Sequence, residues 1–129
     1  MIYAKDQHMK VPVFFALGAV VICLLIYRFG NYREEQLVKR FLEALRSGDY
    51  PKAYEVWGPS KEYKFADFMA DWGGRGYYGK VAGFKILQSK TRGSGVIVTV
   101  GFSHLKKPVH IWVERKTHTL GFSPIEIEN

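Results

Sequence analysis

Residues able to do chemistry are sparse in this chain and can be weighed one at a time. The histidines are His8, His104, His110 and His118. No two stand at zinc-ligand spacing, and neither an HExxH pattern nor a cysteine pair assists them. His110 sits in an alternating run, opposite in sense to Val109 and Ile111, and reads as a solvated sheet residue. His104 and His118 fall in turn regions and read as surface. Asp67 and Asp71 are one helical turn apart, so both carboxylates can share a helix face. With His110 they form the one acid–base set the chain can assemble. Both lie off the apolar stripe of their own helix, which favours solvation, or ion pairing with Lys64 or Arg75, over catalysis. Cys23, the single cysteine, excludes an intrachain disulfide and a thiolate metal cluster. No nucleophile, base and orienter form a visible trio, so the expectation is a non-enzymatic protein with no metal and no cofactor.

Gly74, Gly76 and Gly79 spell GxGxxG within GGRGYYG. A dinucleotide site needs that motif after a strand and opening a helix. Here it comes after an aromatic helical stretch and precedes a strand, so the glycines read as a tight turn presenting Tyr77 and Tyr78.

The elements that would position these residues begin with a membrane segment. VPVFFALGAVVICLLIY runs from Val11 to Tyr27 without a charge, bracketed by Lys10 and Arg28. At 1.5 Å per residue it spans about 25 Å, short for a bilayer core but extended by snorkelling flanks and interfacial tyrosines. No small-residue cleavage site comes after it, because the next residues are Arg28-Phe29-Gly30-Asn31-Tyr32. Cys23 stands after Ile22 in mid-run, which argues against a lipoprotein anchor. An uncleaved single-pass anchor is therefore expected, with Ala16, Gly18 and Ala19 as a small-residue packing surface for neighbouring transmembrane helices. Lys and Arg number two before the span and four shortly after, favouring a cytoplasmic domain, whereas short N-terminal anchors commonly export the domain they carry. The two rules disagree, and the side of the membrane stays open.

Beyond the span, residues 33–47 carry Leu37, Val38, Phe41, Leu42 and Leu45 on one helical stripe. Asp49 can cap a short helix through 51–57, and Phe65, Phe68, Met69 and Trp72 mark a third helical face ending at Trp72. The period then becomes two. Phe84, Ile86 and Gln88 alternate with Lys85 and Leu87; Val96, Val98 and Val100 with Ile97 and Thr99; Val109, Ile111 and Val113 with His110 and Trp112. A last strand is expected at 120–122, and the IEIEN end reads as a frayed or edge-pairing tail. Helices leading into a meander of strands imply an α+β domain with helices on one face of an antiparallel sheet. The chain thus divides into an N-terminal tail (1–10), a transmembrane helix (11–28), the α+β domain (33–123) and a C-terminal tail (124–129).

The phrase VKRFLEALRSGDYPKAYEVWGPS (38–60), with strands after it, resembles NTF2-like (cystatin-related) cone domains, above all small membrane-anchored or lipid-anchored bacterial members of unknown function. The resemblance covers about residues 33–123 and implies helices packed on a curved antiparallel sheet. Such domains serve as enzymes, ligand carriers or pure interaction modules, so the fold leaves function to the site. A cone cavity lined by Phe65, Phe68, Trp72, Phe84 and Trp112 would suit an apolar ligand or be a filled core.

Charge is divided unevenly. Residues 31–71 hold seven basic and eight acidic side chains, whereas residues 72–125 hold nine basic ones against Glu114 alone. A balance of +8 in the sheet half suits an acidic protein surface or anionic lipid headgroups. Nucleic acid is not expected as a partner, since no nucleic-acid-binding motif accompanies the charge. The sequence therefore favours an accessory subunit of a larger respiratory, photosynthetic or transport complex in a bacterial inner membrane. Its partners would be integral membrane proteins, met through Arg75, Tyr77, Tyr78, Lys106, Lys107 and Trp112. The alternative is a ligand-binding or enzymatic domain using the cone cavity.

Overall fold

The computed structural model describes residues 2–124, with side chains for 12–27 and 29–124. The IEIEN end lies outside the described residues, as do the side chains of Lys10 and Arg28. Two units share the chain, residues 1–30 and 31–129.

The first unit is a single helix, α1 (Ile2–Phe29), so the segment expected as an N-terminal tail is helical from Ile2 onward. Pro12 lies inside the helix. Every side chain from Pro12 to Tyr27 is exposed, including Phe14 at 73% and Phe15 at 76%. Its apolar stretch has a mean hydropathy of 2.3 and buries nothing, and by length and composition it suffices to cross a membrane. Ala16, Gly18 and Ala19 do not form one strip. At about 100° per residue Ala16 and Ala19 share a face, while Gly18 points about 100° away from Ala19.

The second unit is α+β, with helices α2 (Tyr32–Arg46), α3 (Tyr50–Trp57) and α4 (Phe65–Trp72) preceding strands β1 (Phe84–Arg92), β2 (Gly95–Phe102), β3 (Val109–Glu114) and β4 (Thr119–Phe122). The strands form a curved antiparallel meander in the order β1-β2-β3-β4. The α2 stripe buries Leu37, Val38, Phe41, Leu42, Ala44 and Leu45 as its spacing requires. Asp49 caps α3 by accepting a hydrogen bond from the Lys52 backbone N–H at 3.2 Å. Opposite these helices Val96, Val98, Val100, Ile111, Val113 and Leu120 close the core from the sheet side.

Register in β1 departs from simple alternation. A bulge between Ile86 and Gln88 makes Gln88 pair with Thr99, so Ser89 and Thr91, rather than Gln88 and Lys90, continue the helix-facing row. On the other sheet face Ile97 and Thr99 are also buried, at 0% and 1% exposure, although no helix covers them. Across the strands Ile97 pairs with Trp112, and Thr99 pairs with His110, whose Nδ1 meets its hydroxyl at 2.9 Å. The Trp112 ring lies so close over Gly95 that an added Cβ there would come within 2.3 Å of it. Alternation sets Ile97 and Thr99 on the face opposite Val96, Val98 and Val100; their burial by cross-strand neighbours is a tertiary fact that alternation does not carry.

A polar clasp ties the start of α2 to the sheet. The Arg115 guanidinium donates to Glu34 Oε1 at 2.7 Å and to Asn31 Oδ1 at 2.8 Å. Asn31 Oδ1 also accepts from the Thr91 hydroxyl at 3.1 Å. An asparagine at a helix start ordinarily caps that helix; Asn31 makes no such side-chain bond and reaches across to the sheet instead.

Candidate functional site

The glycine-rich turn is built on the end of α4. Tyr77 N–H donates to the Ala70 carbonyl at 2.8 Å and Tyr78 N–H to the Asp71 carbonyl at 3.0 Å, satisfying two carbonyls that the helix end would leave open. Gly76 makes this possible. A Cβ at that position would sit 2.8 Å from both the Met69 and Ala70 carbonyl oxygens, which are backbone and cannot swing away. Gly76→Ala is therefore expected to destabilise the domain by about 1–3 kcal/mol, measurable by thermal denaturation, and to pull Tyr77 and Tyr78 out of place.

Behind the turn stands a wall of rings. Tyr78 stacks on Trp72 at 4.3 Å, and Phe122 stacks on Trp72 at 6.0 Å with the planes 4° apart. His104, at the β2–β3 turn, contacts the Tyr78 carbonyl through Nε2 at 2.7 Å and so pins the turn to the sheet. That leaves Tyr77 82% exposed, its ring set edge-on to Tyr78 at 5.0 Å.

The result is an open cleft of about 610 Å³ at one end of the sheet, lined by Tyr77, Tyr78, Leu105, Lys106, Lys107, Pro108, Val109, His110, Phe122 and Ser123. Four of the six contact residues expected from sequence, Tyr77, Tyr78, Lys106 and Lys107, meet here although about thirty residues of chain separate the two pairs. The other two do not join them. Arg75 is exposed in the same turn but does not line the cleft. Trp112 lies on the helix-free sheet face, where its indole N–H donates to Glu114 Oε2 at 3.3 Å. Phe122, His104 and His110 were not expected at a contact site. Phe122 reads as an ordinary strand residue, and nothing local shows that it ends 41% exposed beside Tyr78.

The acid–base set is not assembled. Asp67 accepts from the Lys64 backbone N–H at 3.0 Å, at the start of α4. Asp71 accepts a 2.6 Å bond from the Tyr63 hydroxyl, and His110 Nδ1 pairs with the Thr99 hydroxyl at 2.9 Å. Each group is engaged with its own neighbour, and the expected ion pairing with Lys64 or Arg75 is replaced by these hydrogen bonds. Among the described residues no group of three or more His, Cys, Asp or Glu is placed to hold a metal ion. The five aromatic residues expected to line a cone cavity are also divided. Phe68 and Trp72 are buried in the core cluster, Phe65 is 41% exposed, Phe84 packs under the Arg46 guanidinium at 5.6 Å, and Trp112 faces the opposite side of the sheet.

Two phenols titrate abnormally. Burial raises the Tyr63 hydroxyl well above the ordinary tyrosine value of 10.0, and its bond to Asp71 raises it further. Burial likewise raises Tyr78, with the Asp71 charge adding to it. The folded state holds these protons after the unfolded chain has lost them, so their contribution to stability is complete below pH 10.0 and falls as pH rises beyond it. Ultraviolet titration of the eight tyrosines should show these two ionising only as the fold opens. Full phenolate absorbance from a still-folded chain would contradict the placement.

No family model, curated protein or solved structure matches this chain.

Proposed function

We propose that this chain is a single-pass membrane protein, anchored through α1 in a bacterial inner membrane, whose second unit is a non-catalytic interaction module. It serves as an accessory subunit of a larger respiratory, photosynthetic or transport complex. The helices-then-meander order on a curved sheet supports an NTF2-like assignment for that unit. An all-round apolar helix that buries none of its own side chains supports the anchor, because such a surface is stable only against lipid or another apolar partner.

The observation that carries the reading is Tyr77. A tyrosine 82% exposed beside two lysines, on a turn held by backbone bonds and a stacked ring, has the composition and rigidity of an interface anchor. Little side-chain entropy is lost when such a residue is buried by a partner. The lysines favour an acidic protein surface.

A second reading rests on the volume of the cleft, about 610 Å³, which lies within the range of small-molecule sites. A ligand carrier or enzyme would then use this cleft rather than the filled space between helices and sheet.

Gentle detergent extraction of the tagged native protein, with sizing and mass spectrometry of its co-purifying proteins, tests the proposal. Stoichiometric recovery with a large membrane complex is expected. A lone, monodisperse small protein would sink the accessory-subunit reading and direct attention to a cleft ligand.

A further inference from the structure

A second cleft, of about 520 Å³, lies at the opposite end of the domain, where the chain continues toward α1. One wall is a single face of α2. Arg33, Leu37 and Arg40 are spaced i, i+4 and i+7 and stand one above another. The other wall is the β3–β4 turn carrying Arg115, and the floor is apolar, made by the buried Leu37 and Val113. Three arginines therefore line one cleft with an apolar floor, with Glu34 as the acidic residue among the lining side chains.

Glu34 does not cancel the site. Its side chain is 13% exposed and its carboxylate is held by Arg115 Nε at 2.7 Å, which neutralises it and fixes the Arg115 side chain. Arg33 and Arg40 are exposed and make no hydrogen bond or ion pair with other described residues. Planar guanidinium forks with no partner among the described residues are matched to phosphate oxygens, which they can bind in bidentate fashion. Tyr32, at the rim and 53% exposed, is a residue type suited to the membrane–water interface.

We infer that this cleft binds the phosphate of an anionic phospholipid headgroup, with Arg33 and Arg40 as its ligands and Leu37 and Val113 beneath the glycerol. The inference rests on the membrane reading above. Asn31, which the Arg115 clasp holds at this end, is two residues from the last residue of α1. Lys106 and Lys107 lie at the other end of β2 and have no part in it. Phosphate in solution offers the same oxygens, so the source has to be separated by experiment.

The full chain in a neutral detergent would be titrated with dihexanoyl phosphatidylglycerol, dihexanoyl phosphatidylcholine and inorganic phosphate, and bound lipid counted by native mass spectrometry. One phosphatidylglycerol per chain is expected, held at least about ten-fold tighter than phosphatidylcholine, since Arg33 and Arg40 each add attraction to an anionic headgroup. R33Q/R40Q should remove that preference, and K106Q/K107Q should leave it unchanged. R33Q and R40Q singly should each weaken it, which keeps the test decisive if the double variant fails to fold. A preference that survives R33Q/R40Q, or no preference at all, overturns the inference. Displacement of the lipid by equimolar inorganic phosphate would reassign the cleft to free phosphate and overturn the lipid part. Alkaline extraction of native membranes reads the anchor separately. A chain released by carbonate that still selects phosphatidylglycerol removes the anchor and keeps the site; a retained chain without selectivity does the reverse.

Discussion

Phe41→Ala is expected to destabilise the domain by about 3–5 kcal/mol, enough to remove a large part of the stability of a domain this size. Phe41 is fully buried on α2 and is the ring at which the other helices meet. Its centroid lies 5.0 Å from Trp57 on α3, and 6.1 Å and 5.1 Å from Phe68 and Trp72 on α4. Truncation removes the transfer energy of a phenyl group and also three ring contacts, one of them edge-on at 88°. The space left is bounded by two indoles and a phenyl that are themselves wedged, so little collapse into it is possible. Phe65→Ala is the matched control, because Phe65 is 41% exposed and its loss should cost about 1 kcal/mol or less. Urea unfolding of the full chain in neutral detergent, monitored by tryptophan fluorescence, measures both. Equal losses for the two variants would mean that Phe41 is not the hub of the core.

Trp72 shows what such packing costs. Its indole nitrogen is buried without a hydrogen-bond partner among the described residues, a penalty of about 1–3 kcal/mol. The ring is kept in place by contacts with Phe41, Trp57, Tyr78 and Phe122. The same ring backs the Tyr78 side of the contact cleft, so the core and the site share a member.

Periodicity makes the helices and strands legible because each amphipathic element repeats its burial locally. Leu37, Val38, Phe41, Leu42 and Leu45 announce α2, and the valines of β2 announce the sheet. The hidden features are non-local. The bulge at Ile86/Gln88 changes which β1 residues face the helices, yet no local residue pattern marks it. The Asn31–Arg115 bond spans 84 positions, and nothing local to either residue signals it. The candidate site is half legible for the same reason. The exposed tyrosines and paired lysines stand out by type, but their meeting depends on His104 holding the Tyr78 carbonyl across 26 positions. Composition groups Trp112 with them, whereas strand alternation puts it on the other face of the sheet.

Lys106→Glu combined with Lys107→Glu is expected to weaken association with the partner complex at least 100-fold, about 3 kcal/mol, while leaving thermal stability unchanged. Both lysines are exposed, and neither makes an ion pair with another described residue, so the fold does not depend on them. Charge reversal would set two carboxylates against the acidic surface the cleft is proposed to meet, replacing attraction by repulsion. The eight residues of β2 separate this end of the sheet from the Asn31 end by about 25 Å, beyond the screening length at physiological salt. Lys106 and Lys107 are therefore decoupled from Arg33 and Arg40, and the two clefts can be tested independently. K106E/K107E should release the chain from its partners and keep its phosphatidylglycerol preference, whereas R33Q/R40Q should keep the partners and lose the preference; both variants should stay in the membrane through α1. Co-purification and lipid counting on the same preparations of both variants would decide it. If both variants lost both properties together, the domain would be using one continuous basic surface, and the division of labour between its ends would be wrong.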